Sequence, residues 1–423
     1  MSGDKQTLPE IAADPSPSRW KRALDEIVHA PPLTTVLSVL LAVLGGSILI
    51  VAIDDDVHEA FTYFFAAPGA TFAAIWDSIS GAYIALFQGA VYNFRADSFV
   101  VGIRPLTQSL VFATPLIAAG LGVAIAFRVG LFNIGGRGQM LVGAIFAGYA
   151  SFAWDLPPVL HAIVAVAMGI IGGAIWGGIA GALKAWTGAH EVISTIMLNF
   201  VGLYLIAYLL RTPVLQAPGQ FNPRSPAPND NAVLAPLLGD GFVLHWGFPV
   251  VIAATLVAWW LIERSALGFR FRAVGLNPAA ARSAGIKVER IYLYAMLVAG
   301  GFSGLAISTM ILGTTPSGFT EGVDSGIGFD AITVALLGRS TPWGTFGAGL
   351  LFGALQAGSY TMQIAEGIPI DIVLVVQSLI VLFLAAPPLV RAIFRLPEPR
   401  SRRTAKPGVT GTPGAAEPTE VAK

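Results

Sequence analysis

The sequence predicts an all-α protein that crosses a membrane about ten times. Its mean hydropathy is +0.70 and only 12% of its 423 residues are charged, whereas soluble domains carry about 25% charged residues. Apolar segments long enough to cross a bilayer recur along the chain. Glycine is abundant, at 48 residues, as expected where membrane helices pack closely. These observations exclude an ordinary soluble domain.

Composition also limits the function. The formal net charge is zero, which gives no general attraction to nucleic acid. The sequence contains no cysteine, so disulfides and cysteine-based metal sites are excluded. It has neither an HExxH zinc helix nor a GxxxxGK phosphate loop. We therefore expect no catalytic residue, metal or cofactor, and any ATP would be hydrolysed by another chain.

The first segments set the orientation of the chain. Residues 1–32 are polar and predict a cytoplasmic N-terminal tail. Basic residues precede the first span (33–53) and an acidic run from Asp54 follows it, which places the N-terminus in the cytoplasm. Residues 60–103 are apolar but interrupted, for example by Pro68 and Asp77. They predict interfacial or re-entrant helices on the outer face rather than a pair of spans.

Nine further spans follow, and with the first they give ten crossings and two cytoplasmic termini. They are residues 105–127, 138–154, 157–183, 191–210, 247–262, 291–312, 327–337, 346–365 and 368–387. Only four of the 25 Lys and Arg residues fall in the predicted outer segments, as the positive-inside rule requires. Residues 327–337 are too short to span a core of about 30 Å, and we expect a half-helix there.

The membrane domain is therefore predicted to cover residues 33–390. It includes a basic cytoplasmic loop, residues 264–290, which contains five Arg and one Lys. Residues 391–423 are basic and then rich in Gly, Pro and Thr, so we expect a disordered cytoplasmic tail.

The stretch FNIGGRGQ, residues 132–139, puts polar and flexible backbone beside the start of a span. We interpret it as a broken helix that lines a translocation path, with Asn133 and Gln139 satisfying the freed backbone groups. The alternative is a tight cytoplasmic turn capped by Asn133.

Two other sets of polar side chains are candidates for this path. Glu191, Thr195 and Asn199 share one helix face, where the alternatives are interaction with the helix dipole for Glu191 and interhelical hydrogen bonds for the other two. The second set contains Gln356 and Tyr360, with Gln377 in the last span. Such amides and hydroxyls suit uncharged, hydroxylated substrates.

Glycines repeat every four residues at Gly169, Gly173, Gly177 and Gly181. We interpret this stripe as a face for close helix packing. Gly349 and Gly353 predict a second such face.

The basic loop contains a short helix with both ends specified. Asn277 is a suitable N-cap, Pro278 fits the first helical position, and Gly285 supplies a left-handed C-terminal stop. A small capped helix on a cytoplasmic loop is typical of a contact for a partner, although an ordinary positive loop is the alternative.

Four sequence blocks in the same order resemble one family. PLIAAGLGVAIAFRVGLFNIGGRGQMLVGA, GAHEVISTIMLNF, RAVGLNPAAARSAGI and GFDAITVALLGRSTPWGT resemble ABC-transporter permeases of the nucleoside and simple-sugar uptake group. The same larger family includes ribose and branched-chain amino-acid permeases. The resemblance covers about residues 80–387. One position departs from it, because Arg137 stands where the family has an acid.

The resemblance implies an ABC importer fold and several partners. These are a second homologous permease, a cytoplasmic ABC ATPase and an extracytoplasmic solute-binding lipoprotein, in a bacterial plasma membrane. The family's coupling helix falls on residues 277–285, so the resemblance assigns ATPase coupling to this helix and its neighbourhood. The residues concerned are Gly275, Asn277, Pro278, Arg282 and Gly285.

The leading hypothesis is thus a permease for nucleosides. A simple-sugar permease is the runner-up, and branched-chain amino acids come third because no ionic clamp for a zwitterion is evident in the spans. A self-contained secondary transporter or channel is the alternative from another class.

Overall fold

The computed structural model describes residues 31–239 and 241–395. Helices account for the architecture of this part of the chain, which contains no β-strand and a single isolated bridge between Pro236 and His245. The predicted N-terminal tail, except for its last two residues, and the predicted C-terminal tail beyond residue 395 lie outside the described residues. The all-α fold class is confirmed.

We number the helices in chain order. They are α1 (Pro31–Ile53), α2 (Asp55–Thr62), α3 (Pro68–Ala90), α4 (Phe99–Gly102), α5 (Arg104–Arg128), α6 (Gly136–Ala153), α7 (Leu160–Ala182), α8 (Glu191–Leu209), α9 (Gly247–Arg264), α10 (Ala266–Leu276), α11 (Pro278–Ser283), α12 (Val288–Gly313), α13 (Ile327–Leu337), α14 (Pro342–Glu366), α15 (Ile370–Ala385) and α16 (Pro387–Ile393). A π-helical turn (Leu183–Thr187) extends α7, and a 3₁₀ turn (Asp230–Ala232) lies in the long loop after α8. Residues 41–385 form one compact unit; of a second unit, the structure describes residues 31–40 and 386–395.

Each of the ten predicted spans corresponds to a helix, with ends that differ by four residues or fewer. Seven helices among the described residues are long and apolar enough to cross a membrane, namely α1, α3, α4 with α5, α7 with its π-helical turn, α8, α9 and α12. Two shorter apolar helices correspond to α13 and α15. The chain is therefore a multi-pass membrane protein.

The region 60–103 differs from the prediction, because most of it is one continuous helix of 23 residues, α3. Pro68 occupies the first helical position, where its missing N–H costs nothing, and Asp77 lies on an exposed face. By length and composition α3 can span a membrane. Its last residue lies beside the start of α5, since the Ser109 hydroxyl donates to the Ala90 carbonyl at 2.5 Å.

Glycine faces hold the core together, as predicted. A Cβ added to Gly173 would lie 2.3 Å from the Gly300 carbonyl oxygen on α12, and one on Gly304 would lie 2.0 Å from the Gly169 oxygen. A Cβ on Gly353 would lie 2.5 Å from the backbone nitrogen of Ala113, which brings α14 equally close to α5. In both pairs the helices run antiparallel, and the backbones approach to distances that no larger residue allows.

Two helices begin inside the bundle rather than at its surface. α6 starts at Gly136, and Gln139 in its first turn accepts a hydrogen bond from Ser303, in the middle of α12. α13 has 11 residues, which is about half the length needed to cross the apolar core. Their N-termini meet, because a Cβ on Gly136 would lie 2.8 Å from the Gly328 carbonyl oxygen. The expected half-helix at 327–337 is therefore present as α13, and its N-terminus lies beside that of the longer helix α6.

Candidate functional site

A cavity of about 420 Å³ lies between α5, α12, α13 and α14. The loop after α12 and parts of the long loop after α8 close its sides. Its walls carry many polar groups but only two charged side chains, one of each sign. The polar lining consists of Gln108, Arg224, His245, Thr309, Thr314, Thr315, Thr320, Ser325, Asp330, Gln356 and Tyr360. This volume is in the range of pockets that bind small molecules.

An aromatic pair forms one wall. The rings of Phe112 on α5 and Tyr360 on α14 stack with centroids 5.8 Å apart and an interplanar angle of 18°. Both residues, with Gln108, also line a second cavity of about 690 Å³ on the side of Arg104 and Thr361. The pair therefore stands between two adjoining spaces.

The two charges of the cavity do not pair with each other. Among the described residues, neither Arg224 nor Asp330 has a side-chain hydrogen bond or an ion pair, and the buried Nε atom of Arg224 lacks an acceptor. A cation and an anion that line one cavity without partners are available to a polar ligand.

His245 is buried at the edge of the cavity, just before α9. Its Nδ1 atom accepts a hydrogen bond from the Gly247 amide at 3.1 Å, which fixes the ring. Burial lowers the pKa of His245 to about 4, so the ring is neutral at physiological pH. It therefore adds a polar but uncharged group to the wall.

Of the predicted pathway residues, the structure brings Gln356 and Tyr360 to this cavity. Asn133 and Gln139 lie elsewhere, in a buried amide pair whose atoms are 3.2–3.3 Å apart. Asn133 also accepts from the Gly135 amide at 2.9 Å, and Ser303 donates to Gln139. This cluster satisfies the backbone of the broken segment that precedes α6.

Asn199 is part of the same arrangement. Its side-chain oxygen accepts from the Gly138 amide at 2.8 Å and its nitrogen donates to the Ile134 carbonyl at 2.9 Å. Thr195 donates back to the Glu191 carbonyl within α8. Of the polar stripe of α8, Asn199 alone therefore satisfies the interrupted backbone among the hydrogen bonds that the structure describes, as an amide can do where a membrane helix is broken.

The remaining two predicted pathway residues lie away from the cavity. The Glu191 carboxylate forms an ion pair with Lys184, with Nζ and Oε2 2.8 Å apart, which joins α8 to the π-helical turn after α7. Gln377 is buried within α15.

The structure also adds residues that we did not select from the sequence. Asp330 is the only charged residue of α13, and a lone acid in an apolar membrane segment is a signal that could have identified it. Phe112 carried no such signal, because its ring partner Tyr360 is distant in the chain.

Arg137, where the family pattern expects an acid, is paired with the buried carboxylate of Asp324 at 3.3 Å.

The predicted coupling helix is present with both ends as expected. Asn277 accepts from the amides of Ala279 and Ala280 at 3.0 Å each, with Pro278 in the first turn. Gly285 has φ +82°, and the Ile286 amide donates to the Ala281 carbonyl, which closes a Schellman motif. Most of the helix is exposed, and Arg282 pairs with Glu289 at 2.8 Å.

A short chain of contacts leads from this helix to the cavity. Gly275, near the end of α10, lies against the end of α5, since an added Cβ would be 2.2 Å from the Arg128 carbonyl oxygen. The Arg128 side chain donates from Nε to the Ser340 carbonyl at 2.8 Å, in the connection between α13 and α14. Helices α5, α13 and α14 all line the cavity.

Comparison with known proteins gives a consistent result. A family model described as "Branched-chain amino acid transport system / permease component" matches residues 106–385. The chain is 36% identical over 309 residues to the guanosine ABC transporter permease protein NupP of Bacillus subtilis (strain 168), a match that covers 73% of this chain and 86% of that protein. No solved structure matches the chain.

Two further relatives are similar over most of their length. The glucose ABC transporter permease protein TsgB13 of Haloferax volcanii is 33% identical over 360 residues, 83% of this chain and 86% of that protein. The nucleoside ABC transporter permease protein NupB of Lactococcus lactis subsp. cremoris (strain MG1363) is 33% identical over 334 residues, 74% of this chain and 89% of that protein. The family resemblance that the motifs indicated is confirmed: this chain belongs to the ABC-transporter permeases of the branched-chain amino-acid transport type.

Proposed function

We propose that this chain is the membrane permease of an ABC importer for nucleosides, and that the cavity between α5, α12, α13 and α14 is its substrate chamber. The observation that carries the proposal is the cavity wall itself. It combines a stacked aromatic pair with amides, hydroxyls and a neutral histidine. An aromatic face suits a nucleobase, and the polar groups suit a ribose.

The relatives support this substrate class. NupP and NupB are named as guanosine and nucleoside permeases, and each matches more than two thirds of this chain. Gln356 and Tyr360 are proposed as direct substrate contacts, because they line the chamber. For Asn133, Gln139, Glu191, Thr195, Asn199 and Gln377 a pathway role stays a prediction for another stage of the transport cycle.

We propose that α11 is the contact with a separate cytoplasmic ATPase. Support comes from its exposure, its two fixed ends, and the route through Gly275, Arg128 and Ser340 to the helices of the chamber. Hydrolysis of ATP by the partner would move α11 and alter the chamber. Asn277, Pro278, Arg282 and Gly285 would set the shape and charge of this contact.

The remaining partners and the orientation follow from the same proposal. With ten crossings, to which α3 adds none, the 264–290 loop and both termini would lie in the cytoplasm of a bacterial cell, as the distribution of Lys and Arg predicts. A solute-binding lipoprotein would deliver the substrate at the opposite face. A second permease would pair with this one within the bilayer, and residues 33–390 would form the permease domain between two cytoplasmic tails.

Reconstitution tests the proposal directly. The chain is assembled in liposomes with its partner permease, its ATPase and its binding protein, and uptake of radiolabelled guanosine, inosine and adenosine is measured with and without ATP. We expect uptake that requires ATP and all partner chains. Nucleoside uptake by the purified chain without the ATPase would instead establish a secondary transporter or channel.

A simple-sugar permease is the second candidate, because the glucose permease TsgB13 matches 83% of this chain. An excess of unlabelled glucose, galactose or ribose in the same liposomes distinguishes the two. Nucleoside uptake that resists these sugars supports the nucleoside assignment, whereas ATP-dependent sugar uptake without nucleoside uptake would replace it.

Coupling is tested by the double variant Asn277→Ala with Gly285→Val. Loss of the cap costs about 1 kcal/mol of helix stability, and Val cannot easily adopt a φ of +82°. We expect the variant to reach the membrane but to bind the ATPase weakly and to lose most uptake. Ser283→Ala, on the same exposed helix, is the control. Full ATP-dependent uptake by the double variant would remove α11 from the coupling role.

A further inference from the structure

We propose that Asp330 recognises two neighbouring hydroxyl groups of the substrate, which in a nucleoside are the 2′- and 3′-hydroxyls of the ribose. The inference rests on the proposed function and gives its chamber a specific point of recognition. It concerns one carboxylate that lines the chamber and has no side-chain partner among residues 31–239 and 241–395.

Asp330 lies near the start of α13 and lines the chamber. It is the only charged residue among the 11 of this apolar helix. An acid in a membrane segment carries a cost in free energy, and it persists where it faces a cavity or meets a partner. Asp330 lines the cavity. A ligand that donates hydrogen bonds to its carboxylate would offset the free-energy cost of placing an acid in this apolar helix.

The protein does not supply that partner within the part of the chain that the structure describes. Arg224, the other charge of the chamber wall, forms no ion pair with Asp330. Arg137, at the neighbouring N-terminus of α6, is engaged by Asp324. The Asp330 carboxylate therefore has room for hydrogen-bond donors from a ligand.

Carboxylate chemistry indicates which donors fit. An ionised carboxylate only accepts hydrogen bonds, and its two oxygens can each take one donor. Two vicinal hydroxyls present two donors side by side, and hydrogen bonds to a charged acceptor are about twice as strong as neutral ones. Acidic side chains hold the ribose hydroxyl of dinucleotides in the same way.

The rest of the chamber is consistent with this assignment. The Phe112–Tyr360 pair offers an aromatic surface that suits a nucleobase and does not distinguish one base from another. Vicinal hydroxyls are also the feature that nucleosides share with simple sugars, the second substrate candidate. A carboxylate aimed at the diol would therefore recognise the sugar part and leave the choice of base to other groups.

The experiment compares three substrates in the complete reconstituted transporter. Uptake of guanosine, 2′-deoxyguanosine and 2′,3′-dideoxyguanosine is measured for the wild type and for Asp330→Asn, each with the same binding protein. Because both transporters use that protein, a difference in their substrate preference reports on the permease. Asp371→Asn, an exposed acid at the start of α15, is the matched control.

We expect Asp330→Asn to lower guanosine uptake about tenfold while uptake of the dideoxy compound changes less than about twofold, because an amide replaces one acceptor by a donor. Asp371→Asn should behave as the wild type. An equal loss for all three substrates, or an unchanged preference, overturns the proposal. If Asp330→Asn does not assemble, Asp330→Glu serves instead. A weakened preference for guanosine supports the proposal and an intact one overturns it.

The outcomes also separate this inference from the proposed function. A wild-type transporter that takes up none of the nucleosides disproves the nucleoside assignment. A wild type that takes them up, with a preference that does not depend on residue 330, disproves only the role of Asp330.

Discussion

Arg137 and Asp324 form a pair whose members differ in exposure. The Asp324 side chain is 1% exposed and that of Arg137 is 30% exposed. Removing the arginine would leave a buried carboxylate short of a donor, whereas removing the acid would leave a cation that is partly exposed. The pair joins α6 to the loop before α13, at the point where the N-termini of these two helices meet.

We therefore predict that Arg137→Gln destabilises the protein by about 1–3 kcal/mol and that Asp324→Asn costs less. The double variant should cost less than the sum of the two, because no unpaired charge remains. Unfolding in detergent, followed by the thermal midpoint of each variant, checks this order. Equal and additive losses would show that the pair has no energetic coupling.

A second prediction concerns pH. Burial lowers the pKa of His245 to about 4 from its ordinary value of 6.5, so the unfolded chain binds this proton at a higher pH than the folded chain. The stability contribution is therefore complete above pH 6.5 and is lost as the pH falls toward 4, by about 3 kcal/mol in total.

The measurement is the thermal midpoint between pH 8 and pH 4.5 for the wild type and for His245→Asn. We expect the wild type to lose more stability across this window. His58→Asn, at an exposed position before α3, should follow the wild type. Identical pH curves for the wild type and His245→Asn would contradict the assignment.

At the residue scale, the sequence predicts which polar side chains lie inside the membrane domain better than it predicts their hydrogen-bond partners. Gln356 and Tyr360 share a helix face that hydropathy reveals, and both line the cavity. Asn133 and Asn199 also stand out as polar groups in apolar segments, but their bonds to Gln139, Gly138 and Ile134 depend on how the chain folds back. Most such contacts join residues that are distant in the chain, and the pattern of residue types along one sequence does not reveal them.

Among the helices, α7 and α12 show how strictly a packing face limits side-chain size. A Cβ on Gly300 would lie 2.1 Å from the Gly173 carbonyl oxygen, whereas one on its neighbour Gly301 would be 3.4 Å from the nearest atom, a side-chain carbon of Ile170. The first contact involves backbone on both sides, so neither helix can relax without moving as a whole.

We predict that Gly300→Ala destabilises the α7–α12 contact by about 1–3 kcal/mol or more and reduces the yield of folded protein. Gly301→Ala, the matched control, should be close to neutral. Size-exclusion chromatography and thermal unfolding of the two variants provide the comparison. A neutral Gly300→Ala would mean that the helices can separate at little cost.

Helix ends could be predicted from the sequence because capping residues and Lys and Arg residues mark them. Asn277 and Gly285 bound α11, as predicted. The continuity of α3 was not predicted, because Pro68 and Asp77 interrupt the apolar stretch 60–103 in the sequence. In the structure Gly81 and Gly89 bring α3 close to Glu366 and Thr361 of α14, so tertiary packing overrides local propensity.

For the whole molecule, Arg128 is the residue that connects the proposed coupling helix to the chamber. Its carbonyl lies against Gly275, and its side chain donates to Ser340 between α13 and α14. A hydrogen bond from a charged donor contributes about 1.5–3 kcal/mol, enough to alter an equilibrium tenfold. Loss of this bond should weaken the transfer of movement rather than the binding of ATP.

We predict that Arg128→Met lowers uptake about tenfold while ATP hydrolysis by the assembled transporter continues. The ratio of substrate transported to ATP hydrolysed, measured in liposomes, is the relevant quantity. Lys184→Met, which instead removes the ion pair to Glu191, is the control at another helix end. A parallel fall in hydrolysis and uptake would point to loss of assembly and not to uncoupling.

The meeting of two helix N-termini beside the chamber has an electrical consequence. Each N-terminus carries about half a positive charge, and Arg137 adds one more. The carboxylates of Asp324 and Asp330, when both are ionised, balance this total. If the junction moves as a unit, it then carries no net charge through the membrane voltage, which otherwise acts with about 2.3 kcal/mol per charge per 100 mV. For an uncharged substrate, this junction would add no voltage dependence to the rate of transport.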